Sequence, residues 1–229
     1  MPERVRLRGA YSTRRAAALA GVPVSTVYYW ARQGVYEPSI SPTRLILWSW
    51  PDLLALRAIY WLRQGKPGHA LERTTMSQVR GMLETLQALG DRLGDHLASH
   101  SVVLRVDGRG HPHLGIEDKL LYPLRRGAAQ FVAPGIAVDL LQEYEPGAAN
   151  LLGPHLLQPR PRLRIIPGKL GGEPHIRDTR IDTLTMAALA ERGYTIGNIL
   201  DLYPFLDSAG VEDSLDLERQ LQRNLGVAA

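Results

Sequence analysis

Two short helical patterns, separated by a turn of only a few residues, constrain this fold more than any other feature. The first pattern can be capped by Ser12 or Thr13 and ends at Gly21, because glycine tolerates the left-handed backbone that follows many helices. Pro23 prevents that helix from continuing. The second pattern places Val27 and Trp30 on its apolar side. Helix, tight turn and helix together predict a helix-turn-helix unit.

The residues after this unit predict a small β-wing and a third helix. Residues 36–48 combine a polar turn with β-prone stretches, of which 45–48 is the clearest strand. Ser49 and Asp52 then open a strongly amphipathic helix. Residues 1–70 are therefore expected to form a winged helix-turn-helix domain.

Residues 71–158 predict a linker helix followed by a small mixed α/β segment. Between Thr75 and Ala98, apolar residues recur at three- and four-residue spacing. This seam suits either a second copy of the chain or packing within its own domain. A homodimer is expected, because one winged head rarely gives enough specificity alone.

Residues 159–229 predict a β-hairpin followed by a second helix-turn-helix. A strand at Leu163 leads into a glycine-rich turn and returns through His175. A further helix is expected to be capped by Asp213 or Ser214. The predicted fold class is mainly α with small β elements (α+β), in which two helix-turn-helix modules flank a mixed middle segment.

Positive charge is concentrated at the start of the chain. Residues 1–70 hold ten basic and three acidic residues, 71–160 hold nine and ten, and 161–229 hold eight and ten. A basic head on a mildly acidic remainder is typical of a nucleic-acid-binding domain joined to a segment for another partner. A solvated arginine-rich surface is the alternative interpretation.

Composition argues against several classes of function. The chain has no cysteine, which excludes disulfides and cysteine-based metal or catalytic sites. No apolar run approaches the roughly 18 residues of a spanning helix, so a cytoplasmic protein without membrane contact is expected. No catalytic or cofactor fingerprint occurs, and we expect neither enzyme activity nor a cofactor. His96 and His100 have a spacing that can bind metal, but a helix end explains them more simply and no metal site is expected.

The outward side of the second helix carries groups that bond phosphates and base edges. They are hydroxyl, phenol and guanidinium side chains: Ser25, Thr26, Tyr28, Tyr29 and Arg32. The stretch 11–30, the wing and the helix that begins at Trp50-Pro51-Asp52 resemble the N-terminal DNA-binding unit of the MerR family of regulators. This resemblance implies phosphate or base contacts from five residues: Arg14, Arg15, Tyr28, Arg32 and, in the wing, Arg44.

The C-terminal residues resemble a module catalogued as a domain of unknown function and widespread in bacterial antitoxins. The resemblance rests on a Gly-x-Pro-x-Ile-x-x-Thr-Arg-Ile pattern over 172–181 and spans about 160–225. Asp178 departs from the module, which more often has glycine before Thr-Arg-Ile. This departure leaves the shape of the hairpin turn open.

Together the two resemblances are similar to VapB-type antitoxins, which neutralise PIN-domain ribonuclease toxins and commonly bind their own operator. They imply two partners, operator DNA and a PIN-domain toxin ribonuclease. An arginine that competes for the metal-binding carboxylates of the toxin is expected either from Arg177 and Arg180 or from Arg219 and Arg223. The alternative function is a MerR-like transcriptional regulator that senses a small ligand and has no toxin partner.

Two other interpretations apply to the C-terminal hairpin. Thr179 and Arg180 are expected either to contact a partner or to act structurally, with the hydroxyl capping a turn and the guanidinium pairing with Asp182. The second helix-turn-helix is also a candidate second DNA reader, although the acidic balance of 161–229 argues against strong phosphate binding.

Overall fold

The computed structural model describes residues 9–64, 102–106, 112–116, 120–123, 136–145 and 151–226. Over these ranges the chain forms six α-helices and small antiparallel strand pairs, which confirms the predicted mainly α class with small β elements. The apolar seam of 75–98 and the pair His96 and His100 lie outside the described residues.

The head, residues 9–64, has the order expected of a helix-turn-helix with a wing-like loop. Its elements are β1 (Tyr11–Ser12), α1 (Thr13–Ala20), α2 (Val24–Arg32), β2 (Leu47–Trp48) and α3 (Trp50–Arg63). The two strands pair antiparallel, with Tyr11 opposite Trp48. The wing strand is shorter than the predicted 45–48, since only its last two residues pair with the start of the chain.

Local signals set the helix ends of the head as predicted. The Ser12 hydroxyl accepts the Arg15 N–H at 3.3 Å at the start of α1. Gly21 ends that helix with φ 67° and ψ 39°. Ser49 and Asp52 form a reciprocal capping box at the start of α3.

The middle of the chain contributes a four-stranded antiparallel sheet. Its strands are β3 (Val102–Val106), β4 (Pro112–Ile116), β5 (Leu120–Pro123) and β6 (Ile136–Asp139), in the spatial order β5-β4-β3-β6. Leu104, at the centre of β3, is buried and lies opposite Leu114 and Val138.

The tail, residues 151–226, is a hairpin followed by three helices. Its elements are β7 (Leu163–Arg164), β8 (His175–Ile176), α4 (Thr183–Glu191), α5 (Ile196–Leu202) and α6 (Ser208–Gly226). The two strands pair antiparallel, with Leu163 opposite Ile176.

The last helix begins earlier than its cap signals predicted, so the expected cap at Asp213 or Ser214 is wrong. The Asp207 carboxylate accepts the Gly210 N–H at 2.7 Å at the first turn. Asp213 accepts the backbone N–H of Arg162, and the Ser214 hydroxyl donates to a carbonyl inside the helix. The weakly helical Ser208-Ala209-Gly210 start concealed the true cap.

Head and tail share one hydrophobic core rather than standing apart. The Tyr11 hydroxyl donates to the Gly172 carbonyl at 2.7 Å, and the Ala10 N–H donates to the Gly171 carbonyl at the same distance. At the other end of α1, the Asn224 amide of α6 donates to the Ala18 carbonyl at 2.9 Å. The first helix of the head is therefore fixed against the last helix of the tail.

Arg57, on α3, is completely buried and is bonded only to backbone carbonyls. Its five N–H donors all find acceptors, at 2.5–3.2 Å; these carbonyls belong to Leu19, Ala20, Leu140, Gln142 and Pro154. Burial lowers its pKa to about 9, although the nearby Tyr144 and Asp139 act in the opposite direction. One side chain therefore joins α1, α3, the segment after β6 and the start of the tail.

Glycine is required where these backbones meet. A Cβ on Gly153 would lie 2.7 Å from Arg57 Nη2 and 3.0 Å from the Ala20 carbonyl oxygen. A Cβ on Gly21 would lie 2.6 Å from the Gly153 nitrogen. The close approach of Gly21 and Gly153 thus leaves room for the guanidinium.

Replacement of Arg57 by methionine should destabilise the protein by about 3–5 kcal/mol, because it leaves four buried carbonyls and the partly buried Gln142 carbonyl without this donor. Arg63→Met, at the half-buried end of the same helix, is the matched control and should cost less than about 1 kcal/mol. Urea unfolding followed by tryptophan fluorescence measures both variants. Equal stability of the two variants would contradict the role of Arg57.

Candidate nucleic-acid and partner interfaces

The exposed side of α2 gathers four of the eight residues that the sequence predicts to contact DNA. Val27 and Trp30 are buried, which turns the opposite side of the helix outward. A shallow depression of about 370 Å³ lies there, lined by Ser25, Tyr28, Tyr29, Arg32 and Gln33. Tyr29 is 60% exposed, an unusual position for a tyrosine without a contact.

Two residues differ from the expected α2 set. Thr26 is half-buried and does not line the depression. Gln33, which the sequence did not single out, lines it from the position after the last residue of α2. No sequence signal marked Gln33, because a glutamine between a helix and a glycine is equally common on any surface.

Three arginines of the head are exposed and have no ion pair in the part of the chain that the structure describes. Arg14, Arg32 and Arg44 are exposed, and none of them has an ion-pair partner within the described residues. The head has only two acidic residues in 9–64, Glu37 and Asp52. The exposed surface of the head is therefore strongly cationic, which suits a polyanion.

Asp52 is not part of that surface, because it anchors the wing loop, residues 37–46. Its carboxylate accepts from the Tyr36 hydroxyl at 2.6 Å, the Ser39 N–H at 3.0 Å and the Ser49 N–H at 2.7 Å. Burial and the adjacent Asp52 charge raise the pKa of Tyr36. The base of the loop is thus held firmly beneath the exposed Arg44, which adopts a positive φ of 36°.

Arg15 is the one expected DNA contact that the structure directs inward. Its two terminal nitrogens donate to the two carboxylate oxygens of Glu218, each at 2.8 Å, and Nε donates to Glu173 at 2.8 Å. Its side chain is only 11% exposed. Burial would lower its pKa, but the bonds and charges of Glu218 and Glu173 outweigh burial and raise it. The guanidinium is bonded to carboxylates within the chain, so Arg15 is not available for the expected DNA contact.

The hairpin turn of the tail gives its predicted residues different roles. The Thr179 hydroxyl donates to the Ile176 carbonyl at 2.9 Å and accepts the Ile181 N–H at 3.1 Å, so it caps the turn as the structural interpretation proposed. Arg180 is exposed and does not pair with Asp182. The Asp182 carboxylate instead caps α4 by accepting the Thr185 N–H at 2.6 Å.

Asp178 preserves the turn despite its departure from glycine. Its φ is 62°, in the left-handed region that glycine adopts freely and that aspartate tolerates better than most residues. Its carboxylate lies 3.6 Å from Arg177 Nε in an exposed ion pair. The backbone here therefore has the conformation that a glycine would favour.

Arg177 also lines a second depression, of about 240 Å³, between the hairpin and the start of α6. Its lining residues are Arg162, Ile176, Arg177, Asp178, Thr179, Phe205, Leu206 and Asp207. Phe205 is 67% exposed, the largest exposed fraction among the large hydrophobic residues of the described chain. Neither Arg162 nor Phe205 was predicted from the sequence. The sequence feature that could have indicated Phe205 is its position directly after Pro204 and ahead of a helix.

The other predicted arginine pair lies on α6 and away from this depression. Arg219 is 69% exposed and lies 3.9 Å from Asp216. Arg223 is exposed and has no ion pair within the described part of the chain. Neither residue lines the depression.

Comparison with known proteins identifies one part of the chain. A family model described as "Protein of unknown function (DUF433)" matches residues 164–216, from the end of β7 into α6. No curated protein and no solved structure matches the chain. The resemblance of the C-terminal module is confirmed over these residues, whereas no match supports the MerR or VapB resemblance.

The described residues form neither a membrane-spanning helix nor a metal-binding cluster. Across those residues no helix has both the length and the apolar character needed to cross a membrane. Within the same ranges no three histidine or carboxylate side chains are grouped to hold a metal ion.

Asp178→Gly should stabilise the protein slightly, and Asp178→Val should destabilise it by about 1–2 kcal/mol, because a β-branched residue fits the left-handed conformation poorly. Thermal unfolding of both variants tests this expectation. Glu212→Val, at an exposed helical position of α6, controls for the change in charge. A valine variant as stable as the wild type would contradict a strained turn.

Stability should fall as the pH drops below about 6.5, in part because of His175 in β8. This side chain is buried, its Nε2 has no hydrogen-bond partner among the residues that the structure describes, and burial lowers its pKa. A lowered folded-state pKa means that the unfolded chain binds more protons, so stability is present above the unfolded pKa and is lost below it. Melting temperatures between pH 7.5 and 5.5 should vary less in His175→Gln, and identical pH profiles would contradict this assignment.

Proposed function

We propose that this protein is a DNA-binding antitoxin that binds its operator through the head and neutralises a PIN-domain ribonuclease. The observation that carries the proposal is the outer side of α2. There Ser25, Tyr29 and Arg32 are exposed without partners inside the described chain, on the second helix of a helix-turn-helix.

The DNA-binding half of the proposal is supported by shape and charge together. A helix with hydroxyl, phenol and guanidinium groups on one side fits the major groove, where those groups reach base edges and phosphates. Arg14 and Arg44 add exposed positive charge from α1 and from the wing loop. The two heads of a homodimer would meet two half-sites of an operator.

The antitoxin half is supported by the tail. Residues 164–216 match the DUF433 family, which is associated with toxin–antitoxin-like modules. In the same region Arg177 and Arg180 are exposed cations. Arginine competes well for the carboxylates that hold a catalytic metal, because its planar fork matches their geometry.

The contacts between the head and the tail support a fixed arrangement of the two proposed partners. Arg15 and Asn224 join α1 to α6, and α2 packs against α1, so the DNA-facing helix is held in place relative to the tail. Occupancy of the tail by a ribonuclease therefore places that ribonuclease at a fixed position relative to bound DNA. This arrangement favours one protein with two coordinated partners over two independent binding domains.

Binding of the full chain to operator DNA should weaken steeply with salt, because phosphate contacts release counterions. Arg32→Ala should lower affinity by about 1–3 kcal/mol if its guanidinium meets a base edge. Arg223→Ala removes an equally exposed arginine from α6 and should leave affinity unchanged. Fluorescence anisotropy with the promoter fragment upstream of the gene measures both variants across a salt series.

Three outcomes separate the proposal from its alternatives. Absence of DNA binding, or binding that ignores salt, contradicts the DNA-binding head. Equal losses for Arg32→Ala and Arg223→Ala contradict the role of α2. Normal DNA binding by a chain that neither binds nor inhibits a PIN-domain ribonuclease encoded next to its gene favours a small-ligand regulator over an antitoxin.

A further inference from the structure

Charge is segregated within the tail in a way that its net value conceals. Residues 162–180, which form the hairpin, hold five basic and two acidic residues. Residues 181–229 hold three basic and eight acidic residues. One of the two hairpin acids, Glu173, is bonded to Arg15 of the head. The exposed hairpin is therefore a positively charged patch on an acidic module.

The two ion pairs on this patch are weak, and their arginines can exchange one carboxylate partner for another. Arg162 Nη2 lies 3.1 Å from Asp207 Oδ2, and Arg177 Nε lies 3.6 Å from Asp178 Oδ2. All four side chains are at least 43% exposed, so water screens both pairs. An incoming carboxylate can replace Asp178 or Asp207 at little cost.

Exposed apolar side chains accompany these cations. Phe205 lines the same depression as Arg162 and Arg177, and its ring is held edge-on to Tyr203 at 6.1 Å. Leu202, three residues earlier, is 53% exposed. An aromatic anchor beside arginines is the composition of protein–protein hot spots, whereas phosphate binding needs no exposed phenylalanine.

We propose that this hairpin surface, consisting of Arg162, Arg177, Arg180 and Phe205, docks an acidic protein segment that also presents an apolar side chain. The inference rests on the proposed function, for which it identifies the occupant as the carboxylate-bearing face of the ribonuclease. Partner carboxylates bond Arg177 and Arg162, and an apolar partner residue covers Phe205.

The same charges argue against α6 as the docking surface. Arg219 and Arg223 share their helix with Glu212, Asp213 and Asp216. An acidic partner would meet repulsion there, and Asp216 already lies near both Arg160 and Arg219. The hairpin arginines are thus favoured over the helix arginines, a choice that residue spacing left open.

The test uses the full chain and the purified ribonuclease encoded beside its gene, with binding measured by calorimetry and inhibition by RNA cleavage. Arg177→Glu and Phe205→Ser should each weaken binding at least about tenfold and relieve inhibition. Arg219→Glu and Arg223→Glu make matched charge reversals on α6 and should change binding by less than about twofold. Unchanged melting temperature and operator affinity verify that each variant is folded.

Each result decides the inference. Loss of binding by the α6 variants alone, or by none of the four, overturns the hairpin surface and leaves the antitoxin proposal standing. No binding of the ribonuclease by the wild-type chain overturns both. Loss of DNA affinity in Arg177→Glu without loss of ribonuclease binding identifies a nucleic-acid surface instead.

Discussion

The bidentate ion pair between Arg15 and Glu218 joins the first helix of the head to the last helix of the tail, 203 residues further along the chain. Glu218 also accepts the Thr183 hydroxyl at the start of α4, and Arg15 reaches Glu173 in the hairpin. A buried charge is tolerated only when it is paired and hydrogen-bonded, and here Arg15 donates three hydrogen bonds to carboxylates of the hairpin and of α6. The cluster fixes α1, against which α2 packs, relative to the hairpin.

Arg57 is also a buried charge whose hydrogen bonds must be satisfied, but its partners are backbone carbonyls and not a carboxylate. Its charge is balanced by carbonyl dipoles, including those at the negative end of α1, and by the Tyr144 ring 5.5 Å away. These contacts connect the head to the segment after β6 and to the start of the tail. With both arginines internal, the exposed positive charge within residues 9–64 lies on Arg14, Arg32 and Arg44.

Local features of the fold were predictable because they depend on neighbouring residues. Gly21 ends α1, the Ser49–Asp52 capping box starts α3, and the buried Val27 and Trp30 identify the outer side of α2. The inward role of Arg15 was not predictable, because its partners are distant in sequence and an arginine on a basic head looks like a DNA contact. Phe205 was missed for a related reason, since only the fold brings it beside Arg162 and Arg177.

Coupling between head and tail is the central claim, and the placement of the tryptophans allows a direct measurement. All four tryptophans lie within residues 30–61, so their fluorescence reports the head and its contact with the tail, where the Trp50 indole N–H donates to the Leu156 carbonyl. Glu218→Ala changes a residue of the tail. It should nevertheless lower the free energy of unfolding measured by tryptophan fluorescence by about 3–5 kcal/mol, because it leaves Arg15 buried without its main partner. Glu212→Ala, at an exposed position on the same helix, should leave that free energy unchanged. If neither variant changes the free energy of unfolding measured by tryptophan fluorescence, the claim that head and tail form one structural unit is contradicted.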